Sequence, residues 1–111
     1  MKKELEKVIR NGDVGILYSP GYGAGWSTWN PDFKQLLFHP KLIEAVENNK
    51  QKDIDEEWLK ENKIISKKDF VYCGGASSLK IIWLPEGTAF MIDEYDGAES
   101  VQIVDSLTII A

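Results

Sequence analysis

One cysteine, one histidine and one arginine stand among 111 residues, and each scarcity closes off a class of chemistry. Cys73 alone forms no internal disulfide, which predicts a reducing, cytoplasmic setting. One Cys with one His makes no zinc cluster, and neither a metal nor a cofactor is expected. Arg10 is the only guanidinium, so bidentate clamping of phosphate is nearly closed to a single subunit, and lysines or backbone amides would have to serve instead. No apolar run approaches the roughly 20 residues of a membrane span. The first residues, Met1 to Lys7, carry charge without the apolar stretch of a secretory signal. A formal net charge of −5 argues against duplex DNA or RNA as a partner, because phosphate backbones select basic surfaces.

What is present is apolar and aromatic. A 43% hydrophobic content with four Trp, four Tyr and four Phe predicts one globular domain over 1–111. Leu5, Val8 and Ile9 share a face if residues 2–10 are a short helix, which Asn11-Gly12 would end. Val14 to Tyr18 reads as a strand. Asn30-Pro31 has the form of an N-cap followed by the first helical position, and Phe38 to Lys41 breaks that helix and starts another. The second helix buries Leu42, Ile43 and Val46 and runs to about Asn49. Residues 48–69 form a charged, mobile insertion, inside which Asp53 and Glu56 have the spacing of a capping box for a short helix through Trp58 and Leu59.

From Phe70 onward the pattern is β: strands at Phe70–Cys73, Leu79–Leu84, Thr88–Tyr95, Ala98–Asp105 and Leu107–Ile110. The expected class is α+β, with short N-terminal helices and a C-terminal antiparallel β-meander. Asp96-Gly97 is a type I′ hairpin signal, and a two-residue loop there sets Ile92 opposite Val101 and Phe90 opposite Ile103. The same register sets Glu94 opposite Glu99. Like charges so placed destabilise a strand pair, so a lysine, a cation, a ligand donor or solvent must offset them.

The richest stretch is Gly21-Tyr22-Gly23-Ala24-Gly25-Trp26-Ser27-Thr28-Trp29. It is not a dinucleotide fingerprint: the glycine spacing is wrong and no βαβ series follows. Two readings remain. Either amides of the loop and of the turn near Asn30 hold an anionic group while Tyr22, Trp26 or Trp29 stacks on a flat ring, or the loop is a lid whose tryptophans fill the core. The candidate ligand-binding set is Tyr22, Gly23, Gly25, Trp26, Ser27, Thr28, Trp29, Asn30, Glu94 and Glu99. His39 and Cys73 are the remaining candidate base and nucleophile, although His39 before Pro40 suits a helix cap and a lone Cys is usually a small buried hydrophobe.

Four stretches, Gly21–Trp29, Phe38-His39-Pro40, Trp83–Phe90 and Glu94–Ser100, together resemble a family of small hypothetical proteins from bacteriophages and bacterial genomes. The likeness spans most of the chain except 48–69. That family has no assigned activity, so no residue role follows from it. The resemblance implies a counter-defence factor acting in the host cytoplasm. The reading that results is a non-enzymatic binding protein that captures a small polar, nucleotide-like ligand, sequestering a host immune signal. Two others stand beside it: an inhibitor that binds a host enzyme through its acidic surface and exposed aromatics, and a small hydrolase built on Glu94 and Glu99. Short strands with open edges predict a homodimer.

Overall fold

The computed structural model describes residues 5–23, 25–104 and 109–111. Among these residues the chain is a mixed α+β protein with two small antiparallel sheets. The first contains β1 (Ile9–Arg10), β2 (Asp13–Tyr18) and β3 (Lys80–Pro85), in that spatial order. The second contains β4 (Ala89–Tyr95), β5 (Ala98–Ile103) and β6 (Ile109–Ile110), in the order β5-β4-β6. Two helices, α1 (Pro40–Glu47) and α2 (Glu56–Glu61), are joined to the strands by 3₁₀ turns.

β2 shows why the molecule has three layers. Val14, Gly15, Ile16 and Leu17 are all buried, so this strand is covered on both faces and does not alternate. Leu17 packs with Trp26, Leu42, Ile43, Leu59 and Leu79 in the larger core, beneath the helices. Val14 and Ile16 point the other way, toward Phe38, Leu84, Phe90 and Ala111, between the two sheets. β3 divides the same way, Ile81 and Trp83 to the helical side and Ile82 and Leu84 to the second sheet.

Several expectations are corrected. The helix expected over 2–10 is absent among the described residues: Ile9 and Arg10 pair with Val14 and Asp13, and residues 1–4 lie outside the description. Asn11 and Gly12 have φ of 52° and 83°, so the dipeptide is a type I′ hairpin turn and not a helix cap. The arrangement is not N-terminal helices followed by a meander. β3 leaves to join β2, and β6 pairs with β4 instead of β5. Residues 105–108, part of two expected strands, lie outside the description.

Asn30-Pro31 starts no α-helix; a 3₁₀ turn over Lys34–Leu37 follows, and Asn30 ends the preceding turn over Ser27–Trp29. Phe70–Cys73 joins no sheet. Its amides are taken by side chains instead, Val71 N–H by Glu56 and Tyr72 N–H by Asn30. The cap of α2 is Asp55, which accepts from Trp58 N–H at 2.8 Å, not Asp53. The charged stretch around it delivers Ile54, Leu59, Ile64 and Ile65 to the larger core.

Other expectations match. α1 begins with His39 as cap and Pro40 at its first position, and buries Leu42, Ile43 and Val46. The last hairpin has the expected register throughout, Phe90 opposite Ile103, Ile92 opposite Val101 and Glu94 opposite Glu99. Its turn residues Asp96 and Gly97 have φ of 50° and 84°.

Replacing Gly12 isolates the conformational contribution of such a turn. A Cβ there meets no atom within 4 Å, so Gly12→Ala suffers only from the positive φ. The expected loss is about 1 kcal/mol of unfolding free energy, measured by urea denaturation.

Candidate functional site

The glycine–tryptophan loop runs from the end of β2 to the hairpin tip, and a buried carboxylate holds it there. Glu99 is 3% exposed. Its Oε1 accepts from Ser19 N–H at 2.9 Å, and its Oε2 accepts from Trp26 N–H at 2.7 Å, Thr28 N–H at 3.1 Å and Thr28 Oγ1 at 2.6 Å. The backbone of Glu99 donates in turn to Ser19 O at 2.7 Å. The amides do form an anion cradle, but the anion in it is the chain's own. These donors offset the like-charge conflict across the hairpin.

Glu94, the opposing carboxylate, faces the same loop. It accepts from Trp29 Nε1 at 3.1 Å and from Gly97 N–H at 2.9 Å. The Gly97 amide first, and the indole second, hold its carboxyl below the usual carboxylate range. Both carboxylates are engaged by loop and turn donors, an arrangement unlike a water-activating pair in a cleft.

The two tryptophans part company. Trp26 is wholly buried in the larger core, and its Nε1 donates to Leu36 O at 2.8 Å, so it has no ring surface to offer a ligand. Trp29 is 40% exposed and packs on Tyr72 with ring centroids 5.2 Å apart. Asn30, expected as a helix cap and ligand donor, is buried and fully used: its Nδ2 donates to Trp26 O and Tyr72 O, and its Oδ1 accepts from Tyr72 N–H. Tyr22 is 80% exposed, and beside it Gly23 N–H donates to Asp96 O at 2.6 Å. Ser27 and Thr28 line a shallow groove of about 310 Å³ with Lys34, Leu37, Met91 and Ile109.

Residues outside the expected set complete the frame. Ser19 Oγ donates to Gly75 O at 2.8 Å. Gly75 itself sits so close to the loop that a Cβ would fall 2.4 Å from Gly25 O. Nothing local marks Ser19 or Tyr72. Gly74-Gly75, directly after the expected strand Phe70–Cys73, signals locally no more than the end of that strand.

No Cys–His pair is assembled. His39 caps α1 through Nδ1, which accepts from Lys41 N–H at 3.2 Å, and its Nε2 meets Glu6 at 3.3 Å. Burial, then Asp55 and Glu56, push the Cys73 thiol up to about 11, away from a reactive thiolate. The only guanidinium, Arg10, is bound bidentately by Glu47. Among the described residues no three His, Cys, Asp or Glu side chains converge for a metal ion. The chain matches no protein-family model, no curated protein and no solved structure.

Glu99→Gln replaces an acceptor oxygen with a donor facing donors. The expected loss is about 3 kcal/mol or more of stability, read from urea midpoints, because buried amides are left unpaired. Gly75→Ala is expected to lose about 1–3 kcal/mol through overpacking against the Gly25 carbonyl.

Stability should also fall on acidification, in two stages. Burial lowers His39 from its usual 6.5, so the unfolded chain takes up the proton first and stability declines below about pH 6.5. Glu47, Glu56 and Glu94 are all lowered from 4.5 by hydrogen bonds, so their contribution is present above about pH 4.5 and is lost as pH falls through the folded values. Urea midpoints from pH 8 to pH 3 test both stages, and His39→Asn should remove the first alone.

Proposed function

We propose that this protein is a non-catalytic binding protein whose working surface is the ring pair Trp29–Tyr72, and that its partner is a basic protein segment. The observation that carries the reading is an exposed indole held in a fixed pose, by Tyr72 at 5.2 Å and by Glu94 through Nε1, on a loop whose amides at Trp26 and Thr28 and whose Asn30 side chain are satisfied internally. Phe70, 81% exposed, stands two residues from Tyr72 on the same segment, with Lys60 over its ring. At the other end Tyr22 and Tyr95, 80% and 73% exposed, bracket the hairpin tip.

Charge selects the partner. Carboxylates stand at the hairpin end of the rings, Glu94 and Asp96, whereas Glu56, bonded to Val71 N–H at the other end, is paired with Lys60. Indole and phenol faces beside carboxylates suit lysine and arginine side chains, through cation–π contact and charge together. Trp, Tyr and Arg dominate the energetics of such interfaces. A host protein as that partner agrees with the resemblance to phage-borne proteins.

A planar small molecule is the second reading, favoured by the groove beside the same loop, where Ser27, Thr28 and Lys34 supply polar groups over an apolar floor. Against its nucleotide form stands the occupied amide cradle: Glu99 holds the place a phosphate would take.

The test uses a fluorescein-labelled arginine-rich peptide, an acidic peptide of equal length, and a panel of linear and cyclic nucleotides. The expected result is saturable binding of the arginine-rich peptide alone. Trp29→Ala should weaken it by about thirtyfold, the effect of losing a contact worth about 2 kcal/mol. The same variant should keep stability to within about 1 kcal/mol, as a surface change does. Equal binding of both peptides, or no effect of Trp29→Ala, overturns the proposal. A thermal shift with nucleotides alone establishes the second reading in its place.

A further inference from the structure

A second concavity lies on a part of the molecule that shares no residue with the aromatic surface. The segment before β1, the turn Lys34–Leu37, the start of α1 and the end of α2 enclose a cleft of about 460 Å³, lined among others by Glu6, Gln35, His39, Lys41, Asn62 and Lys63. That volume accommodates a small metabolite. In a chain of net charge −5, this cleft gathers two lysines and the only histidine against a single carboxylate. Neither Lys41 nor Lys63 is ion-paired among the described residues, and Lys41 Nζ reaches only Asn62 O, at a long 3.4 Å.

His39 supplies a donor here in either charge state. Because Nδ1 accepts from Lys41 N–H, the proton of the neutral ring belongs on Nε2. That Nε2 meets Glu6 Oε2 at 3.3 Å. The two partners are unequal: the His39 side chain is 14% exposed, whereas that of Glu6 is 65% exposed, on a segment with no regular structure. Glu6 therefore brings one carboxylate from outside onto a built-in donor, and leaves two ammonium groups beside it unmatched.

We propose that this cleft binds a small multivalent anion, a phosphate ester or a di- or tricarboxylate, and that Glu6 occupies the anion's place until such a ligand displaces it. A multivalent anion meets the His39 Nε2–H and both ammonium groups at once, which a single carboxylate does not. Glu6 is easily exchanged, because a single contact made by so exposed a carboxylate holds it by no more than about fivefold.

Amide chemical-shift titrations of the full chain with inorganic phosphate and with citrate, at pH 7.5 and constant ionic strength, test the proposal. Saturable shifts confined to residues 5, 6, 35, 39, 41 and 62–64 are expected with at least one of the two, and which one responds tells phosphate from carboxylate ligands. Glu6→Gln should tighten binding by up to about fivefold, by removing the internal competitor. His39→Asn retains a side-chain oxygen to cap Lys41 N–H but lacks the Nε2 donor. It should weaken binding by about tenfold, as loss of a hydrogen bond to a charged group does, while the thermal midpoint at pH 7.5 stays within a few degrees. Shifts spread over surface lysines without saturation overturn the proposal. So does an affinity that neither Glu6→Gln nor His39→Asn alters.

Discussion

Four hydrogen bonds to the carboxylate of Glu99 decide the shape of the loop, and through it the character of the surface. Their donors come from the end of β2 and from the turn around Trp26, segments with no strand pairing to each other. Without that acceptor, three amides would face one another unpaired at a buried point, a cost far above that of an ordinary lost contact. With it, Trp26 takes φ −123° and ψ −96°, outside helical space, immediately before the 3₁₀ turn. In a continuous 3₁₀ helix residues three apart eclipse, so both indoles would share one face. The break at Trp26 sends its ring into the core and leaves that of Trp29 on the surface.

The last hairpin was legible in the sequence because two local signals agree there. Period-2 apolar spacing and an Asp-Gly turn admit one register, and the structure has it. The first hairpin carries a turn signal of the same kind in Asn11-Gly12. It was hidden because Leu5, Val8 and Ile9 also fit a helical face, and a dipeptide with positive φ serves a helix end as well as a hairpin. What decides between them is β2, whose other edge and both faces are already covered, so that Val14 offers Ile9 a ladder. That is tertiary information. Phe70–Cys73 failed for the opposite reason: strand-like composition without a strand to pair with, its amides captured by Asn30 and Glu56.

The candidate site was legible as a conflict and not as a solution. Like charges at Glu94 and Glu99 contradict the stability of the hairpin that carries them, and such local inconsistency implies a compensating partner elsewhere. The sequence also showed a glycine-rich loop with amides to offer. Joining the two required knowing that β2 ends beside β5, which no spacing reveals because the two segments stand 80 residues apart. Asn30 shows the same limit. Its local pattern predicts a helix cap, because capping is the local use of asparagine, whereas its partner Tyr72 is 42 residues away.

Glu99 and Glu6 each occupy a donor set in this protein, and the contrast between them separates architecture from recognition. Glu99 is 3% exposed and accepts four bonds, three from backbone amides and one from the Thr28 hydroxyl, on segments that cannot reorganise without opening the core. Water or a diffusing anion gains no access to that cradle, so its electrostatics serve the fold. Glu6 rests on His39 by one contact at 3.3 Å, with most of its side chain in water and, among the described residues, two ammonium groups without an ion pair alongside. The chemistry of the two sites is alike, a carboxylate on N–H donors. Burial and the number of bonds make one permanent and the other exchangeable, and only an exchangeable occupant leaves a place for a ligand.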